Sequence, residues 1–172
     1  MTNRSADWGL LMALATGFVL QKRGIRLMTA ESCTGGLVSH WLTRVGGSSQ
    51  WFDGGVVSYS NQVKVAMLGV GQDTLDRYGA VSLEVAQEMA MGLMPKTGSG
   101  RASLSITGVA GPQGGTVEKP VGLVCFAWAG PFGVTSEKKL FQGDRNQIQM
   151  KAAIFSLSNI CRYLTNSDHS HQ

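Results

Sequence analysis

Residues Ile25–Gly36 read I-R-L-M-T-A-E-S-C-T-G-G. Ile25 to Ala30 is a short β-prone run, and Glu31 to Gly36 is a polar turn ending in two glycines. Gly35 to Arg44 then carries a helical pattern. Strand, polar turn and helix in that order form the repeating unit of an α/β fold. Further strand-like runs lie at Gly54–Ser60, Ala102–Thr107, Val121–Ala129 and Val134–Phe141. Helical patterns cover about 6–22, Asn61–Leu68 and Asp73–Tyr78. Ser82 is a suitable N-cap for a helix striped with Val85, Ala86, Met89, Ala90 and Leu93, which Pro95 stops. Asp144 caps a long last helix bearing Ile148, Ala152, Phe155, Ile160 and Tyr163, and a polar tail runs on from Thr165.

Connection lengths set the topology. Helices after the first two strands give right-handed parallel crossovers into a three-strand parallel unit. The fourth and fifth strands meet through Gly130-Pro131, too tightly for a crossover. The fourth strand therefore runs against its neighbours and the fifth returns parallel to the first three. Residues following strands one, two, three and five then share one rim, the rim where open α/β sheets bind ligands.

Composition narrows the function. The chain has 172 residues, no internal repeat and no linker, which predicts one domain over 1–172. Fifteen basic and eleven acidic residues give +4, with no basic run longer than two, so nucleic acid is not expected as a partner. Gly9 to Leu20 is apolar, yet it is too short to span a bilayer and has no A-x-A site behind it. An amphipathic first helix and a cytoplasmic protein without a membrane partner are the expectation. Cys33, Cys125 and Cys161 are an odd, scattered set that fits a reducing compartment. Of His40, His169 and His171, the last two lie in the tail, and no metal-ligand spacing is present.

Four polar or glycine-rich turns converge on the shared rim. The first carries Glu31, Ser32, Cys33, Thr34 and Gly35. The second carries Tyr59 and Asn61, with Lys64 one helical turn on. The third is the loop Gly108–Gly115, containing Gly111, Gln113 and Gly114, and the last is Gly143-Asp144-Arg145. Ser32 at a helix start is a candidate nucleophile, or Ser32 or Thr34 merely caps the helix. Glu31 either salt-bridges a neighbour or acts on substrate, and Cys33 reads as a small buried thiol. With histidine scarce, lysine is the natural base, and the apolar run around Lys64 supplies the desolvation a neutral lysine needs. Lys64 is otherwise an ordinary exposed lysine. Ser136-x-x-Lys139 has the spacing of a nucleophile–lysine motif but lies in an alternating strand, not at a helix start. Glycine-loop N–H groups and Arg145 can take an anion, while Tyr59 and Asn61 can position substrate. The residues alone thus lead to a hydrolase or transferase acting on a small anionic molecule without a metal.

Five strings carry a resemblance: A-E-S-C-T-G-G at 30–36, S-Y-S-N-Q-V-K at 58–64, T-G-V-A-G-P-Q-G-G at 107–115, K-P-V-G at 119–122 and G-D-R at 143–145. From about Leu10 to Leu164 the chain resembles the CinA C-terminal domain family. The resemblance implies a three-layer α/β/α sandwich on a mixed five-stranded sheet with one antiparallel strand. It implies hydrolysis of the carboxamide of nicotinamide mononucleotide in pyridine-nucleotide recycling, without cofactor or metal. Ser32 would be the nucleophile, Lys64 its base and Tyr59 a supporting hydroxyl. The glycine loop (Gly108, Gly111, Gly114, Gly115) and Arg145 would hold the ribose-phosphate, and a homo-oligomer is implied. Thr34 and Gly35 are candidate oxyanion donors. Gln113 and Gln149 depart from the family pattern, with Gln149 standing where the helix after G-D-R often carries another arginine. Loss of a cation beside a phosphate predicts binding weakened by about 1.5–3 kcal/mol. Two alternatives follow, a nucleotide-binding module without turnover and an amidase acting on another small amide.

Overall fold

The computed structural model describes residues 4–95 and 100–165, with side chains of the first helix from Trp8 onward. The expected polar tail lies outside the described residues. Helix α1 (Arg4–Arg23) leads to β1 (Arg26–Glu31), α2 (Leu37–Thr43) and, after a short 3-10 turn, β2 (Phe52–Val57). Three helices follow, α3 (Asn61–Leu68), α4 (Gln72–Tyr78) and α5 (Leu83–Gly92). Strands β3 (Arg101–Gly108), β4 (Leu123–Gly130) and β5 (Gly133–Leu140) precede the long α6 (Arg145–Thr165). The sheet order is β2-β1-β3-β4-β5, with β1 parallel to β2 and β3, and β4 antiparallel to both its neighbours. That is the mixed α/β sheet the connection lengths dictate.

Boundaries move where capping chemistry outweighs β-propensity. The second strand ends at Val57 rather than Ser60, because Ser60 accepts the Val63 N–H at 3.3 Å and starts α3. Helix α2 begins at Leu37 rather than Gly35, since Gly35 and Gly36 take the left-handed conformation of a turn. Asp144 caps α6 as expected, through a reciprocal pair in which Gln147 N–H donates to Asp144 and Asp144 N–H to Gln147. Ser136 and Lys139 lie on β5, as the alternation indicates.

The larger core packs α1, α2 and α6 against one face of the sheet, with the Phe126 ring against those of Trp128, Phe141 and Phe155. On the other face small residues let α5 approach closely, with Ala86 and Ala90 against Cys125, Ala127 and Ala129. Strand β3 alternates between the two faces. Leu104 and Ile106 enter the aromatic core, while the buried hydroxyls of Ser103, Ser105 and Thr107 donate to the carbonyls of Ala90, Ala86 and Ala80. Every buried hydroxyl on that face of the strand is thereby satisfied.

Helix α1 departs from the amphipathic expectation. Its inner side carries glycines where it meets two tryptophans: a Cβ on Gly9 would lie 2.2 Å from Trp41, and one on Gly17 would lie 2.6 Å from Trp51. Its outer side nevertheless carries Trp8, Leu11, Leu14 and Phe18, each roughly half exposed or more. Among the described residues no helix is long and apolar enough to cross a membrane.

Candidate active site

The carboxyl ends of the strands surround a cavity of about 290 Å³. Ser32, Cys33, Tyr59, Asn61, Lys64, Gly108, Gly111, Gly114 and Arg145 line it, together with Ala80, Val81, Thr107, Val109, Ala110 and Gln113. Thr34, Gly35 and Gly115 are not part of the wall. Gly115 serves the loop itself, because a Cβ there would lie 2.9 Å from the Val121 nitrogen.

Ser32 sits where β1 becomes the turn before α2. Its N–H donates to the Ile106 carbonyl at 2.9 Å, which fixes the residue to β3. Lys64 comes from the first turn of α3, and its side chain is 1% exposed. Its Nζ lies 3.0 Å from Ser32 Oγ and donates to the Ser58 carbonyl at 2.7 Å. No ion pair to Lys64 occurs among the described residues. Burial without a counter-ion pushes its pKa below that of an ordinary lysine. In its neutral form the amine has a lone pair to accept the Ser32 proton and an N–H to keep the Ser58 contact. Lys64 is therefore not an ordinary exposed lysine.

The turn resolves the alternatives for its neighbours. Glu31 is fully buried and makes no salt bridge among the described residues. Its carboxylate accepts from the Thr34 hydroxyl, from the N–H groups of Gly36, Val38 and Ser39, and from the Ser39 hydroxyl, at 2.7–3.1 Å. The unpaired N–H groups of the α2 start are thus saturated by the protein's own carboxylate. Ser32 is not needed as a cap. For the same reason the helix terminus itself is not open to an oxyanion. Of the expected donors, the Gly35 N–H is committed to the Ser32 carbonyl and the Thr34 hydroxyl to Glu31. The Cys33 N–H faces its own thiol, while the Thr34 backbone N–H has no acceptor among the described residues. Cys33 is buried, and burial with the nearby Glu31 charge pushes its thiol up to about 12, so it stays protonated as expected of a packing residue.

Opposite, Arg145 spans the cavity mouth. It donates to the Gly111 carbonyl at 2.6 Å and to the Tyr59 hydroxyl at 3.0 Å, joining the glycine loop to the end of β2. One guanidinium, that of Arg145, and the Lys64 amine line the cavity, with no carboxylate among the described residues, which gives it the electrostatics of an anion site. Gln149 is not where the sequence reading put it. From α6 its Nε2 donates to the Cys33 carbonyl at 2.8 Å, against the turn of Ser32 and outside the cavity wall. Sequence reasoning missed the capping role of Glu31, the Ser58 carbonyl, and the wall residues Ala80, Val81 and Thr107. Only Glu31 had a signal, an acidic residue immediately before a helix start.

A family model for the CinA C-terminal domain matches residues 11–164. A nicotinamide-nucleotide amidohydrolase PncC of Enterobacter agglomerans is 46% identical over 152 residues, covering 88% of this chain and 92% of that protein. A putative competence-damage inducible protein of Symbiobacterium thermophilum is 46% identical over 159 residues; the match covers 87% of this chain but 37% of that longer protein. Among solved structures, a competence or damage-inducible protein of Enterobacter asburiae superposes with a TM-score of 0.84 at 34% identity, covering 91% of this chain and 98% of that one. Sequence, fold and rim geometry agree, and the chain belongs to the CinA C-terminal domain family.

Proposed function

We propose that this chain, acting as one domain, hydrolyses the carboxamide of nicotinamide mononucleotide to nicotinate mononucleotide and ammonia in pyridine-nucleotide recycling. The observation that carries this reading is the 3.0 Å approach of Ser32 Oγ to the buried Lys64 Nζ on the cavity wall. Neutral Lys64 takes the Ser32 proton as Oγ attacks the carboxamide carbon, and the carbonyl oxygen becomes an oxyanion served by the Thr34 N–H group. Lys64 then gives that proton to the departing nitrogen, the C–N bond breaks, ammonia leaves, and an acyl ester remains on Ser32. Water, losing a proton to Lys64, opens the ester, and Ser32 recovers its hydrogen as the acid departs. Tyr59 supports the amine–hydroxyl pair, Asn61 positions the pyridine ring, and the glycine loop with Arg145 takes the ribose-phosphate. No step calls for a metal or cofactor, and the reading places the enzyme in the cytoplasm with a small molecule, not nucleic acid, as its ligand. The test is ammonia release from nicotinamide mononucleotide by purified protein with chelator present. Turnover is expected in the wild type, with a loss of at least about a hundredfold in Ser32→Ala. Full turnover in that variant overturns the mechanism, and calorimetric binding without turnover in the wild type favours the binding-module alternative.

The homo-oligomer belongs to the same reading, with a second copy of α1 as the occupant of its apolar face. Antiparallel pairing about a two-fold near residue 13 matches Leu11 with Leu14 and Trp8 with Phe18 of the second copy. Those four side chains contribute roughly 400 Å² per copy, about half of what a standard interface buries on each side. Light scattering on a sizing column is expected to show a dimer that Phe18→Glu converts to monomer. A wild-type monomer would remove the assembly from the reading.

A further inference from the structure

The Ser32 carbonyl accepts the Gly35 N–H at 3.1 Å, so residues 32–35 form a β-turn with Cys33 and Thr34 at its centre. The central peptide of such a turn can face either way; type I and type II turns differ by its flip. Its two polar ends are the Cys33 carbonyl and the Thr34 N–H. The bond is trans, so these ends point in opposite directions. The carbonyl end is held by Gln149 from α6 at 2.8 Å, whereas the N–H end has no acceptor among the described residues. A carbonyl can only accept, so the amide nitrogen of Gln149 must be the atom that faces it.

We infer that Gln149 is a positioning residue for the reaction at Ser32. Its side-chain amide locks the Cys33–Thr34 peptide in one orientation and keeps the Thr34 N–H, which is bonded directly to the wall residue Cys33, turned away from α6, unpaired and available to the developing oxyanion. The same hydrogen bond polarises the peptide and strengthens its N–H as a donor. Gln149 touches no substrate in this scheme. The inference rests on the proposed nucleophilic role of Ser32. It also assigns Gln149 a task different from the phosphate contact suggested by its place in the sequence.

An oxyanion donor is needed in the transition state and not in the ground state, so its misorientation falls on kcat. Gln149→Met keeps the side-chain length and removes the donor. It is expected to lower kcat about tenfold, less than the ~10²–10³-fold lost when a donor is deleted outright. KM for nicotinamide mononucleotide should stay within about twofold, and the melting temperature should fall by only a few degrees, the cost of one unpaired carbonyl. Gln149→Arg restores a donor to the Cys33 carbonyl and is expected to recover most of kcat. Unchanged kcat in Gln149→Met, a loss expressed in KM alone, or no recovery in Gln149→Arg overturns the inference. Ser32→Ala in the same assay separates the two levels. If it is inactive while Gln149→Met is fully active, only the positioning role fails; if it retains turnover, the nucleophile and the positioning role fall together.

Discussion

Replacing Lys64 by methionine is expected to remove turnover while leaving the protein at least as stable at neutral pH. The amine is the base for Ser32, and deleting a general base costs about 10²–10⁴-fold in rate. Methionine fills much the same volume without a charge to desolvate. Burial lowers the pKa of Lys64, so the folded state disfavours its cation. Between that lowered value and the ordinary 10.5, the unfolded chain binds a proton that the folded chain does not. Wild-type stability therefore rises with pH through this window, and below it the full cost of a buried cation is felt. The methionine variant should lose that pH dependence. Melting temperatures of both proteins across pH check the claim, and a variant markedly less stable at pH 7 would contradict it. Activity carries the matching signature: wild-type kcat/KM should climb with pH and level off above the lowered Lys64 pKa. Because Lys64 must be neutral to act, a profile that falls with rising pH would exclude it as the base.

Glu31→Gln is expected to cost about 3 kcal/mol, a drop of roughly 6–12 °C in melting temperature for a chain of this size. The substitution keeps the shape and loses both the charge and one acceptor. The new NH2 group would point at N–H and O–H donors that now converge on an oxygen. Either the α2 start frays or the side chain withdraws, and the turn carrying Ser32 loosens with it. Calorimetric unfolding alongside the ammonia assay tests this, with stability and kcat falling together. A variant with wild-type melting and wild-type kcat would show that the carboxylate does nothing beyond filling space.

The sheet order was legible because connection length alone separates crossovers from hairpins, as the short Gly130–Gly133 link between β4 and β5 illustrates. The rim followed from that topology, and Ser32, Lys64, Tyr59 and Arg145 do meet there. Side-chain direction was not legible. Glu31, at the last position of β1, could have faced a cation or the substrate; its five donors come from residues three to eight positions later, once the turn has folded back. Gln149 was misread because sequence separation carries no information on which face of α6 meets the turn 116 residues away. Likewise, Ala80 and Val81 have no chemistry of their own, and only packing makes them a wall. The outer side of α1 defeated the pattern in another way, since periodicity cannot distinguish a buried apolar stripe from one presented to solvent.

The three hydroxyls on β3 work as a vernier. Two residues of strand advance about 6.7 Å, and four residues of helix advance about 6 Å. Ser103 and Ser105 therefore engage carbonyls one four-residue step apart on α5, at Ala90 and Ala86, with little mismatch. Sliding the helix along the strand by any fraction of a turn would unseat both at once. Thr107 reaches past the start of the helix to the Ala80 carbonyl, so the far wall of the cavity is tied to the strand that also anchors Ser32, and the distance between wall and hydroxyl is set by the sheet.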